Sequence, residues 1–213
     1  MILALDTTSE YGSIALARGG ELLQVEEVRS PDGFGHVIFQ RIEALLARHA
    51  VALRDLTGYA AAAGPGSFTG VRIGLTTVKG LAEANGKRVV AVSNLLALAA
   101  AGSGDLRAPV IDARRGEVYA AVYTARLEPV VPEVVCPFAR FHDLVAGRPV
   151  AWITTGFEPA PGLKLVEVPR ALAGPVALLA AQAFAEGRAR PPEQIDANYI
   201  RRSDAELKWR APA

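Results

Sequence analysis

The stretch from Tyr59 to Gly74 constrains the fold more than any other part of the sequence. A short apolar run, Tyr59–Ala63, stops at Gly64-Pro65-Gly66-Ser67, and the chain then passes directly into a helical pattern that reaches about Ala84. A strand that becomes a helix within four residues needs backbone freedom, and Gly64 and Gly66 supply it. Ser67 is placed to cap the helix and Gly86 to stop it. The exposed N–H groups of such a first turn make an anion site. The stretch is not a P-loop, because no Gly-Lys-Ser/Thr follows. Its glycine spacing does not fit the dinucleotide fingerprint either. A tight turn without any ligand satisfies the same spacing, so the corner is fixed and its use stays open.

Elements on either side of this corner alternate as in an α/β protein. Ile2–Leu5, Ser13–Ala17 and Glu21–Arg29 read as three strands, joined by the polar turn Asp6-Thr7-Thr8-Ser9-Glu10 and by Gly19-Gly20. His36 to Ala50 reads as a helix with Ile38, Phe39, Ile42, Leu45 and Leu46 on one broad arc. Val89–Val92 is a strand, Ser93 a cap, and Asn94–Ala101 a short helix. The second half restarts with strands at Ala108–Ile111, Glu117–Thr124 and Val130–Val135. Then come a short helix at Phe138–Ala146, strands at Pro149–Thr154 and Leu163–Val168, an Ala-rich helix at Pro175–Glu186, and a final short element at Asn198–Arg202. Both halves open on a strand that ends in an aspartate, Leu3-Ala4-Leu5-Asp6 and Pro109-Val110-Ile111-Asp112, which reads as a weak internal duplication. Gly102-Ser103-Gly104-Asp105 is the best linker, dividing the chain into subdomains 1–102 and 107–213.

Composition excludes several function classes. Of 213 residues, 23 are Lys or Arg and 22 are Asp or Glu, so the net charge of +1 lacks the basic footprint of a stand-alone nucleic-acid binder. The single cysteine, Cys136, excludes an internal disulfide and a Cys-cluster metal site. It fits a reducing compartment, and with no basic region before the first apolar run the expected location is the cytoplasm. The most apolar stretch, Ala171–Ala185, is interrupted by Gly174 and Pro175 and falls short of the ~18 residues of a membrane span. His36, His49 and His142 show no metal-ligand spacing. No Gly-x-Ser-x-Gly elbow announces a serine hydrolase. Arg201, Arg202, Lys208 and Arg210 make the C-terminal tail mildly basic, but Asp204 and Glu206 interrupt it, as on a solvated segment.

The helix after Ser67 carries three faces. Phe68, Val71, Leu75, Val78 and Ala82 form a core stripe; Arg72, Thr76, Lys79 and Glu83 a polar one; Gly70, Gly74, Thr77 and Leu81 a third. Two glycines inside a helix cost roughly 2 kcal/mol against alanine, and close approach of another helix is the usual reason to keep them. That helix is either the chain's own His36–Ala50 helix or a partner's. Asp6, in a turn rich in hydroxyls, is either a phosphate- or metal-holding carboxylate or a turn aspartate satisfied locally.

The segments MILALDTTSEYGSIALA, AAAGPGSFTGVRIGLTTVKGLAEANGKRVVAVSNLLALA, APVIDARRGEVYAAVY and ANYIRR together resemble the TsaB (YeaZ) family, from residue 1 to about 202 and in order. The resemblance implies the actin-like ATPase fold, ribonuclease H-like and of two similar subdomains. It implies an accessory, non-catalytic role in forming threonylcarbamoyladenosine beside the anticodon of tRNA. It also implies a direct partner, the larger paralogue TsaD, which carries the metal and transfers the threonylcarbamoyl group. The ATPase TsaE joins the complex, tRNA meets it there, and TsaC supplies the adenylate. TsaD holds its metal with a His-x-x-x-His pair, and this sequence has no such pair.

On the same resemblance the partner face is expected on the two helices of the first subdomain. It would comprise His36, Phe39 and Arg41 from the first helix, and Gly70, Arg72, Ile73, Gly74, Thr77 and Leu81 from the second. The first helix departs from the family's His-Ser pair and later Pro, reading Gly35-His36-Val37-Ile38-Phe39-Gln40. Asp6, Thr7, Ser9, Gly64, Gly66 and Ser67 are the expected remnant of a nucleotide or anion site. No cofactor or metal is expected for the chain alone, with a nucleotide at the TsaD junction left open. A homodimer is expected in TsaD's absence. The competing readings are an active ATPase-, kinase- or peptidase-like enzyme of the same fold and a tRNA-binding module.

Overall fold

The computed structural model describes residues 1–201. Strands β1 (Ile2–Asp6), β2 (Tyr11–Arg18) and β3 (Glu21–Arg29) form an antiparallel meander. Helix α1 (Ile38–Arg48), β4 (Gly58–Ala62), α2 (Phe68–Asn85) and β5 (Arg88–Val92) follow, with β4 parallel to β1 and β5 parallel to β4. The sheet order is β3-β2-β1-β4-β5. After α3 (Asn94–Ala101) come β6 (Leu106–Asp112), β7 (Glu117–Thr124), β8 (Pro129–Pro137), α4 (Phe138–Leu144), β9 (Val150–Thr154), β10 (Leu165–Glu167) and α5 (Ala173–Ala185). Their sheet runs β10-β9-β6-β7-β8, the first order repeated from the opposite edge. The duplication is therefore a property of the fold. The second copy is the smaller, because no helix stands between β9 and β10 where the first copy has the 18 residues of α2.

Period-two alternation divides the first sheet between two cores. Leu3, Leu5, Ile14 and Leu16 pack with Ile38, Ile42 and Leu45 of α1 and Val71, Leu75 and Val78 of α2. Ile2, Ala4, Ala15, Ala17 and Ala60 face the other way, onto Val176, Ala177 and Ala180 of α5 and Leu98 of α3. Alanines on both sides of that contact let helix and sheet approach closely. Helix α5 thus belongs to the second half by sequence and covers the first sheet in space. The second sheet packs on Phe141 of α4 through Val110, Val118 and Trp152, and Ala121 and Tyr123 on its other face meet Leu95 of α3.

Local signals place the ends of the helices. The Ser67 hydroxyl accepts from the Gly70 N–H, Ser93 accepts from Leu95 and Leu96, and Gly86 closes α2 at φ 60°. Helix α1 begins at Ile38 rather than His36, and α5 at Ala173 rather than Pro175. Residues 198–201 are neither helix nor strand, and Arg202 lies outside the described residues, as do Lys208 and Arg210. Among the described residues no helix is long and apolar enough to cross a membrane.

Candidate functional site

Two concave surfaces flank the corner at Gly64–Ser67. The first is a cleft of about 1370 Å³ between the subdomains, lined by Asp6, Ser9, Gly64, Gly66 and Ser67 on one side and by Asp112, Arg114 and Arg170 on the other. The carboxylates Asp6 and Asp112 end equivalent strands of the two sheets, as the repeated strand-aspartate pattern implies.

The cleft's polar groups are largely engaged with one another. Asp6 Oδ1 accepts from the Thr8 N–H at 2.9 Å and the Thr8 hydroxyl at 2.6 Å. Burial pushes the Asp6 carboxyl up from the usual carboxylate range, and these hydrogen bonds partly offset it. Thr8 Oγ1 also accepts from Asn94 Nδ2 at 2.5 Å, and Asn94 Oδ1 accepts from the Gly64 N–H at 2.9 Å. The Ser67 N–H donates to Thr8 O at 2.7 Å. Two backbone donors of the expected anion cradle, Gly64 and Ser67, are therefore spent inside the protein. Thr7 does not line the cleft: its hydroxyl turns under α2 and donates to Gly70 O at 2.7 Å. The Ser9 hydroxyl is tied to the Tyr11 backbone. On the far wall, Arg114 and Arg115 hold left-handed φ values of 63° and 57°, and Arg114 pairs with Asp112 at 3.3 Å. No cluster of three His, Cys, Asp or Glu side chains able to hold a metal occurs among the described residues.

The second surface is an apolar groove of about 810 Å³ between α1 and α2. Phe39, Arg72, Ile73, Thr77 and Leu81, all expected on the partner face, line it. Phe39 is 58% exposed.

Four expected positions fall elsewhere. Gly70 and Gly74 meet no helix. A Cβ on Gly70 would lie 1.9 Å from Thr7 O, and one on Gly74 would lie 2.7 Å from Thr7 Oγ1. The β1–β2 turn runs directly beneath α2, and that close approach is why both are glycine. His36 is exposed beside the groove without lining it, and Arg41 turns away to Glu26 of β3 at 3.3 Å. Phe68 also corrects its expected place in the core stripe. The first residue of α2, it is 51% exposed, with the Arg72 guanidinium 3.8 Å above its ring. The groove's glycines are Gly35 and Gly80, and the helical pattern did not single out Gly80.

A third feature escaped the sequence reading. Residues 198–201 form a strap from α2 to the second sheet. The Asn198 N–H donates to Ala63 O at 2.8 Å, and its side chain donates to Glu133 of β8 at 2.6 Å. Glu133 also accepts from the Tyr123 hydroxyl at 2.7 Å and from Ser93. Burial first, and then the Glu133 charge, push the Tyr123 phenol far up. No short-range pattern marks contacts between residues 65 apart.

A family model described as TsaD, tRNA N6-adenosine threonylcarbamoyltransferase, matches residues 34–182. With the repeated five-stranded sheet it places the chain in the actin-like ATPase class, of ribonuclease H-like architecture. The tRNA threonylcarbamoyladenosine biosynthesis protein TsaB of Bacillus subtilis (strain 168) is 31% identical, covering 98% of this chain and 97% of its own length. TsaB of Escherichia coli (strain K12) is 32% identical, covering 96% of each. The chain belongs to the TsaB (YeaZ) family. A Pseudomonas aeruginosa crystal structure, described as similar to the peptidase YeaZ, superposes with a TM-score of 0.82 at 32% identity, over 94% of this chain and 99% of that one.

Proposed function

We propose that this chain is the non-catalytic subunit of a tRNA threonylcarbamoyladenosine-forming complex, and that it acts by docking the catalytic subunit TsaD on the α1/α2 groove. The carrying observation is the contrast between the two surfaces. The cleft's polar groups hold one another, while Phe39, Ile73 and Leu81 leave an apolar groove open to solvent. Exposed apolar patches of this kind mark interaction surfaces. The match of a TsaD model to residues 34–182 supports the choice of partner, because a paralogue of the same fold offers an equivalent helix pair. A second copy of this chain offers the same pair, so the isolated protein forms a twofold dimer through this face. In this reading TsaE and tRNA join through TsaD, TsaC supplies the adenylate, and the chain works in the cytoplasm without a metal or cofactor of its own. A nucleotide at the junction would be held chiefly by TsaD.

Co-expression with the cognate TsaD, co-purification, and a tRNA modification assay with and without this chain test the proposal. Wild type should co-purify and support modification, while Ile73→Asp should abolish both with the fold retained. The isolated chain should hydrolyse neither ATP nor peptides. A turnover that disappears in a folded Asp6→Ala variant would instead make the protein an enzyme.

A further inference from the structure

The N-terminal end of the groove carries a cluster that belongs to neither core. The Tyr199 ring centroid lies 6.1 Å from that of Phe68, and the Tyr199 hydroxyl accepts from Arg72 Nε at 3.2 Å. The Arg72 guanidinium covers the Phe68 ring. Phe68 and Arg72 line the groove, yet Phe68 and Tyr199 remain 51% and 49% exposed. Tyr199 is held from both sides. Asn198 is bonded to Ala63 and Glu133, and Arg201 donates to Ala113 O at 2.8 Å and pairs with Glu117. The strap therefore fixes a half-exposed tyrosine in the cleft wall, beside Phe68, which lines both surfaces, and Arg72 of the groove. Tyrosine and arginine in such settings carry a disproportionate share of binding energy.

We infer that the docking face extends past the two helices onto this strap, with Tyr199, Phe68 and Arg72 forming the anchor on which the partner seats. The inference rests on the docking reading above and deepens it. The occupant is the catalytic paralogue, and the chemistry of the cluster calls for an apolar side chain over the Tyr199 and Phe68 rings. A carboxylate beside it would meet the Arg72 donors that Tyr199 does not use. Because the strap also grips the second sheet through Glu133 and Glu117, seating a partner on Tyr199 tightens the strap as a whole.

Titration calorimetry with the cognate TsaD, run on the full chain, tests this. Tyr199→Ala should weaken binding by about tenfold or more, Tyr199→Phe by only about two- to threefold, and Ile73→Asp should abolish it. If Ile73→Asp abolishes binding while Tyr199→Ala stays within about twofold of wild type, the anchor is overturned and the groove reading stands. Unchanged binding by Ile73→Asp overturns the groove reading and this inference with it. If Tyr199→Ala breaks self-association in light scattering but leaves TsaD affinity unchanged, the anchor serves a second copy, and the inference is likewise overturned. Hydrogen exchange on the wild-type protein supplies a readout that needs no variant. The amides of residues 198–201 should gain protection when TsaD is added, and unchanged exchange there refutes the inference.

Discussion

Helix α2 contains three glycines whose surroundings differ enough to form a graded test. Replacing a helix-interior glycine by alanine gains about 1 kcal/mol when nothing opposes it. At Gly80 a Cβ meets nothing within 4 Å, so Gly80→Ala should raise stability by about that amount, roughly 2–4 °C in melting temperature for a chain of this size. At Gly70 the same methyl would lie 1.9 Å from the Thr7 carbonyl oxygen, which is backbone and cannot swing aside. Either α2 lifts or the β1–β2 turn moves. Each breaks the Thr7 hydroxyl bond to Gly70 O and the Ser67 N–H bond to Thr8 O, both 2.7 Å. Two hydrogen bonds at about 1 kcal/mol each, with about 1–3 kcal/mol of overpacking, outweigh the helical gain. Gly70→Ala should therefore lose about 2–4 kcal/mol net. Gly74→Ala should fall between, because the atom it meets at 2.7 Å is the Thr7 side-chain hydroxyl, which can rotate. Urea denaturation of the three variants, compared at equal m-values, measures the series. A Gly70→Ala protein as stable as Gly80→Ala would show that the turn does not sit beneath the helix.

Asp6 sets a pH dependence. Burial raises its folded pKa above the ordinary aspartate value, so the native state holds the proton more tightly than the unfolded chain. Its contribution to stability is then lost as pH rises through the interval between the two values. Asp6→Asn keeps both Thr8 hydrogen bonds on Oδ1, and its stability relative to wild type should climb from pH about 4 upward in urea titrations. Glu133→Ala leaves the hydroxyls of Tyr123 and Ser93 without this acceptor and the Asn198 amide with only Gly64 O at 3.4 Å, and should cost about 1–3 kcal/mol. Glu133→Gln removes the charge that helps raise Tyr123, so ultraviolet titration should find that phenol ionising at lower pH. Phe39→Ala, at an exposed groove position, should change stability by no more than about 0.5 kcal/mol while weakening TsaD binding.

Signals that act within a few residues were legible in the sequence. Ser67, Ser93 and Gly86 mark helix ends because a cap is made with the neighbouring turn. The repeated strand-aspartate unit is legible as a weak duplication, since alternation and turn chemistry are local as well, while the shared sheet order is not. What could not be read depends on partners far along the chain. Gly70 and Gly74 show as a small-residue face, but the neighbour that demands it is Thr7, 63 residues before Gly70. Phe68 has the right period for the core stripe, yet periodicity does not reveal that the first residue of α2 stays half-exposed under the Arg72 guanidinium. The return of α5 to the first sheet, and the strap of residues 198–201, follow from chain tracing that no helical or strand period encodes.

These long-range ties bear on the proposal that a fold built around a cleft works here through a docking surface. A catalytic cleft needs polar groups held ready for a ligand. Here Asp6 is bonded to Thr8, Thr8 to Asn94, Asn94 to Gly64, and Glu133 joins Ser93, Tyr123 and Asn198 across the subdomain boundary. Moving the subdomains apart would break the Glu133 set at once, and buried donors without acceptors are costly, so the network favours one fixed arrangement. A fixed arrangement suits a docking face, since a partner that spans helices and strap loses little affinity to reorganisation. The same strap that closes the network places Tyr199 in the cleft wall against Phe68 and Arg72, where the cleft meets the groove. The bonds that restrain the cleft are thus the ones that hold the groove's edge in place.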